Sequence, residues 1–133
     1  MFERQSNFLG GNDPTGCDEL YKVKAGKDVS DMRDFQYFNC EGKYTLYMEG
    51  PSGNTVTVFG DFNFKAGGGY LIIRKRDDRL VWLLDLEAFP AGQWITVPAT
   101  ADSGSYDAYY QAAPRFEENI ASVKWGNWWG NLQ

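Results

Sequence analysis

Alternation at period two, rather than any helical repeat, organises the apolar residues of this chain. From Lys43 onward, short β-rich runs are separated by turn formers. Residues 44–48 stop at Gly50-Pro51-Ser52-Gly53-Asn54 and residues 55–59 follow, which predicts a hairpin. Residues 70–73 and 80–86 are the most apolar runs. The intervening Arg74-Lys75-Arg76-Asp77-Asp78-Arg79 reads as the solvated turn of a second hairpin. If residues 80–86 are extended, Trp82, Leu84 and Leu86 share one face while Leu83, Asp85 and Glu87 share the other. Phe89-Pro90-Ala91-Gly92 marks another turn, residues 93–97 a strand ended by Pro98, and residues 120–125 a closing strand. Residues 99–114, rich in Ala, Ser, Gly and Tyr, read as a long surface loop with one short helical turn. The first forty residues, broken by Gly10-Gly11, Asn12-Asp13-Pro14 and Gly16, read as loops with short strands. No stretch beyond about ten residues keeps a helical period, so the expected class is all-β.

Composition narrows the picture. A length of 133 residues suits one domain, expected to span 1–133 as a two-sheet sandwich of about eight strands. The aromatic fraction of 17% and the 15 glycines suit twisted, turn-rich sheets rather than disorder. Thirteen Lys and Arg against 18 Asp and Glu leave a net charge of −5, which repels phosphate backbones and argues against nucleic acid as a partner. No run of about 18 apolar residues is present, so no membrane span is expected. The chain has no histidine, which excludes Ser-His-Asp triads, Cys-His dyads and histidine-ligated zinc. Cys17 and Cys40 either pair, closing a loop worth roughly 3 kcal/mol, or remain two thiols. Residues 1–7 lack the apolar core of a signal peptide, leaving the cytoplasm, or secretion after removal of a leader, as the location.

One local pattern points further. In Val56-Thr57-Val58-Phe59-Gly60-Asp61-Phe62-Asn63-Phe64-Lys65-Ala66-Gly67, a strand ends in an aromatic, and a second aromatic follows five positions later. This resembles the opening of a βγ-crystallin Greek-key motif, with Ala66 where that family has glycine. Glu117-Glu118-Asn119-Ile120-Ala121-Ser122-Val123 resembles the acidic–serine arc that closes such a motif. A fainter copy resembles the same pattern at Phe2, Phe8 and Gly10, with Lys27-Asp28-Val29-Ser30-Asp31-Met32 as its arc. The resemblance implies a Greek-key β-sandwich like a βγ-crystallin domain. The span from Phe59 to Ser122 exceeds the family's motif length, which implies an insertion drawn from the 70–100 region, an inserted hairpin.

The resemblance also implies calcium at the arcs, with Asp28, Ser30, Asp31, Glu118 and Asn119 as ligands. Calcium needs several oxygens at 2.3–2.6 Å. Ala121 stands where the family has a hydroxyl ligand, and Gly26 and Lys27 stand at leading acidic positions, so the expected site is weak or vestigial and no other cofactor is implied. The tail Trp125-Gly126-Asn127-Trp128-Trp129 supports two readings. Trp125, Trp128 and Trp129 with Asn127 form a glycan-stacking platform, or the tail folds back and plugs the sandwich. No catalytic residue is expected. Asp85 and Glu87, about 6–7 Å apart on a strand, are more simply solvated carboxylates than a glycosidase pair. The leading expectation is a non-enzymatic structural or binding module, monomer or weak dimer, with an unknown protein or glycan partner. A lectin-like protein, or an inhibitor or toxin acting on another protein, is the alternative.

Overall fold

Strands buried on both faces lie inside a sheet that is covered on both sides, as Thr55–Phe59 is throughout and Tyr70–Lys75 is at every position but Arg74. The computed structural model describes residues 5–12, 20–24, 26–31, 43–83, 86–114, 116 and 120–128. Among them the strands are β1 (Gln5–Asn12), β2 (Leu20–Lys24), β3 (Lys43–Met48), β4 (Thr55–Phe59), β5 (Tyr70–Lys75), β6 (Val81–Leu83), β7 (Trp94–Val97), β8 (Tyr106–Gln111) and β9 (Ser122–Trp125). They form a four-stranded sheet in the order β2-β1-β3-β6 and a five-stranded sheet in the order β7-β8-β5-β4-β9, antiparallel throughout. The protein is all-β, and helix among the described residues is confined to short 3₁₀ turns such as Phe62–Phe64 and Ala66–Gly68. No described helix is long and apolar enough to cross a membrane.

The core lies between the sheets. Leu46, Met48, Val81 and Leu83 of the smaller sheet meet Val56, Val58, Leu71, Ile73, Ala108, Tyr110, Val123 and Trp125 of the larger one. Phe116 and Ile120 close one side of this cluster. A second cluster covers the outer face of the larger sheet: Phe59, Tyr70, Ile72 and Tyr109, flanked by Phe64, Trp94 and Trp128.

Several expectations are corrected. Residues 44–48 and 55–59 do not form a hairpin, because β3 and β4 belong to different sheets. The turn between them bonds to β5 instead: Gly53 N donates to the Lys75 carbonyl and Lys75 N to the Asn54 carbonyl. Residues 70–86 do not form a hairpin either, since the charged segment after β5 crosses to the other sheet. Lys75 within it is buried rather than solvated.

Residues 99–114 are not a surface loop. They contain β8, which lies between β5 and β7, with Tyr106, Ala108 and Tyr110 turned to the core. The first forty residues supply β1, an eight-residue strand with an irregular register between Asn7 and Leu9. The segment from residue 80 is also shorter as a strand than its pattern implies. Val81 and Leu83 point inward and Trp82 outward, yet Leu86 is buried as well, so the period-two alternation ends before it. Cys17, Cys40 and Asp85 lie outside the described residues.

Candidate functional site

The link from β4 to β5 folds back on itself, and two consecutive left-handed residues make it do so. Asp61 accepts a hydrogen bond from Phe62 N at 2.8 Å, which starts the first 3₁₀ turn. Asn63 (φ 57°, ψ 34°) and Phe64 (φ 60°) then reverse the chain and bring the Phe64 ring edge-on to Phe59, with centroids 6.0 Å apart. Phe59 and Phe64 thus pack closely, and the positive φ of the reversal itself falls on Asn63 and Phe64, with Gly69 (φ 82°) ending the link. Glycine is needed on either side of the reversal, where Gly60 and Gly68 lie backbone against backbone and a Cβ on either would collide with the other's carbonyl.

Ser122 holds this reversal from across the sheet. Its buried hydroxyl donates to the Asp61 carbonyl at 2.6 Å and accepts from Phe64 N at 3.1 Å. Phe64 in an unfavourable backbone region costs of order 1–3 kcal/mol, and bonds of this kind are what over-determine such a residue. The segment carrying Asp28 and Ser30 arrives on the other side. Val29 exchanges two 2.8 Å backbone bonds with Val123, and Asn63 N donates to the Ser30 carbonyl at 2.8 Å.

The residues expected to bind calcium are therefore partly gathered here. Asp28 and Ser30 lie beside β9, Asp31 is half-buried, and Glu118 and Asn119 lie outside the described residues. The oxygens of Asp28 are engaged. Oδ1 accepts from Trp125 N at 2.8 Å, and Oδ2 lies 3.7 Å from Lys124 Nζ. That ammonium also sits 4.5 Å over the Phe64 ring. A cation at Asp28 would have to displace a lysine that already supplies positive charge. Among the described residues no three His, Cys, Asp or Glu side chains cluster where they could hold a metal ion together.

The tail tryptophans separate into different environments. Trp125 packs in the core between the sheets, which removes it from any surface platform. Trp128 is half-buried on the outer face of the larger sheet, its ring 5.3 Å from Phe59 and 5.4 Å from Tyr70. Its Nε1 donates to the buried Thr57 hydroxyl at 2.7 Å. Asn127 is exposed, and Trp129 lies outside the described residues.

Sequence reasoning missed the rest of this aromatic face, because Tyr109 and its neighbours were assigned to a loop. Tyr109 stacks on Tyr70 at 6.2 Å and meets Trp94 at 5.4 Å. Burial, with Tyr109 close by, pushes the Tyr70 phenol above its ordinary pKa, so it is neutral at physiological pH. The run Tyr106-Asp107-Ala108-Tyr109-Tyr110 did carry a signal in its β-favouring tyrosines. Comparison of the chain with protein-family models, with curated proteins and with solved structures finds no match in any of the three.

Proposed function

We propose that the chain is a non-enzymatic structural or binding module of double Greek-key type, resembling the βγ-crystallins, with calcium arcs that are vestigial. The observation that carries this reading is the sharing of both sheets by the two halves of the chain. A Greek key returns its last strand to lie beside its first. β3 lies beside β1, and β9 lies beside β4. Each half also lends a segment to the other's sheet: β6 pairs with β3, and Val29 pairs with Val123 on β9. β7 and β8, antiparallel neighbours at the edge beyond β5, are the inserted hairpin in this scheme, with β7 inside the 70–100 region and β8 beyond it. The Ser122 clamp on the folded 60–64 reversal supports the same reading.

A vestigial arc follows from the charge around Asp28. With Lys124 on one oxygen and a backbone N–H on the other, that carboxylate has little to offer a divalent ion. The sugar-stacking reading has less support, since the Trp128 indole is spent on Phe59, Tyr70 and Thr57.

Thermal melting with calcium or chelator tests the proposal. A site with Kd near 10⁻⁵ M would add about 2.7 kcal/mol at hundredfold excess, a rise of several degrees for a chain of this size. The expected outcome in millimolar calcium is a change under about 1 °C, well below the several degrees of that estimate. A rise of several degrees, reversed by chelator, would show a working calcium site and overturn the vestigial reading.

A further inference from the structure

Two arginines on the outer face of the larger sheet share a single carboxylate. Arg74 on β5 and Arg76 just beyond it both reach Asp107 on β8. Arg74 Nη2 lies 3.5 Å from Oδ2, and Arg76 Nη1 lies 3.2 Å from Oδ1 and 3.3 Å from Oδ2. Thr96 on β7 donates to the same Oδ1 at 2.7 Å. Asp107 is the only carboxylate paired with either guanidinium among the described residues.

The geometry leaves capacity to spare. A guanidinium carries five N–H donors in a rigid fork. Arg74 spends one nitrogen on Asp107 at a long distance, and Arg76 reaches both oxygens through one nitrogen. Neither contact is the paired, parallel bonding by which arginine normally grips a carboxylate at 2.7–2.9 Å. Both forks therefore retain an edge able to grip an oxyanion with two bonds. The side chains are exposed at 39% for Arg74 and 51% for Arg76, whereas that of Asp107 is only 13% exposed. Solvent thus meets two cations above one shielded anion.

The site is also held in place. The Arg74 guanidinium lies 4.8 Å over the Trp94 ring, and Asp107 and Thr96 fix the groups beneath it. β5 is an inner strand flanked by β4 and β8, so its side chains start from a rigid base. The surplus is local, one positive charge on a molecule whose net charge is −5. A long polyanion would meet repulsion from the rest of the surface, while a single compact group would not.

We infer that Arg74 and Arg76 form a binding site for one compact oxyanion, a carboxylate, sulfate or phosphate group borne by a small ligand. The inference is independent of the Greek-key reading and of calcium.

Side-chain ¹H–¹⁵N spectra of the arginines, recorded during titration with sodium sulfate, inorganic phosphate or sodium acetate against sodium chloride at matched ionic strength, test it. Saturable shifts at the Arg74 and Arg76 signals, weakened about tenfold or more by R76Q, are the expected result. Saturation by sulfate and phosphate alone assigns the site to tetrahedral anions, and saturation by acetate as well extends it to carboxylates. Arg76 is exposed, so R76Q should keep its backbone amide spectrum, and R74Q gives a second reading. Shifts that track chloride without saturating, or saturable shifts that survive both substitutions, would overturn the site.

Discussion

Trp125 and Trp128 are three positions apart and meet different surroundings, so truncating them should have different costs. Trp125 is core, and replacing it with alanine should cost about 3–5 kcal/mol, as for other buried large aromatics. Trp128 is only half-covered, but its loss would also strip the buried Thr57 hydroxyl of its donor. W128A should cost about 2–3 kcal/mol from lost burial and that bond together. Denaturant unfolding of both variants measures this, and a cost below about 0.5 kcal/mol for W128A would mean the indole seals nothing. At this scale the sequence was informative for Phe59 and Phe64, whose spacing marked the folded reversal, whereas for Trp125 it left platform and plug both open. It placed Ser122 in an arc but not its contacts, which depend on a backbone reversal 58 positions earlier in the chain.

Among elements, the clearest lesson is the corner between β5 and β6. Six consecutive charged residues suggested a solvated hairpin turn, but charge does not say which way a strand's next side chain points. Parity does: Lys75 follows Leu71 and Ile73 on the inner face of β5. Its Nζ donates to the Arg79 carbonyl, while Asp77 accepts from Arg79 N and Ser105 N, each at 2.9 Å. β8 was missed for a related reason. Tyrosine carries both an apolar ring and a polar tip, so a tyrosine-rich run looks like loop until its partner strands are known.

Burial pushes the Lys75 ammonium below its ordinary pKa, against the opposing pull of Asp77, Asp78 and Glu49. The unfolded chain then binds more protons than the folded one between the lowered value and 10.5, so this group adds stability as pH rises through that window. Tyr70 and Tyr106, both raised by burial, act the other way, and stability falls once pH passes 10 and the unfolded phenols ionise. The difference between wild type and K75M in urea unfolding, followed from neutral pH to 10, isolates the lysine. Wild type should gain on the variant as pH rises, and parallel curves would mean that Lys75 is hydrated.

Over the whole molecule, the order of the strands matters more than their number. Strand positions from residue 43 onward were largely readable, but their allocation to sheets was not, because turn formers mark where a chain bends and not toward which sheet. The allocation produces a single core, to which Leu46, Met48, Val81 and Leu83 from one sheet and Val56, Leu71, Ile73 and Val123 from the other contribute together. It also ties the sheets covalently, since β6 and Val29 each sit away from the sheet that holds most of their own half. Neither sheet has an apolar face it could bury alone, so the two should unfold in one step. Native-state amide exchange tests this through Leu46 and Leu83 in the smaller sheet and Val58 and Leu71 in the larger. All four amides should report the same opening free energy, within about 1 kcal/mol, and the same dependence on denaturant. V29P, which deletes the N–H that bonds to the Val123 carbonyl, should lower protection in both sheets by equal amounts. Protection lost from the larger sheet alone, with the smaller one unchanged, would mean that the sheets fold independently and that the exchange of strands between halves does not couple them.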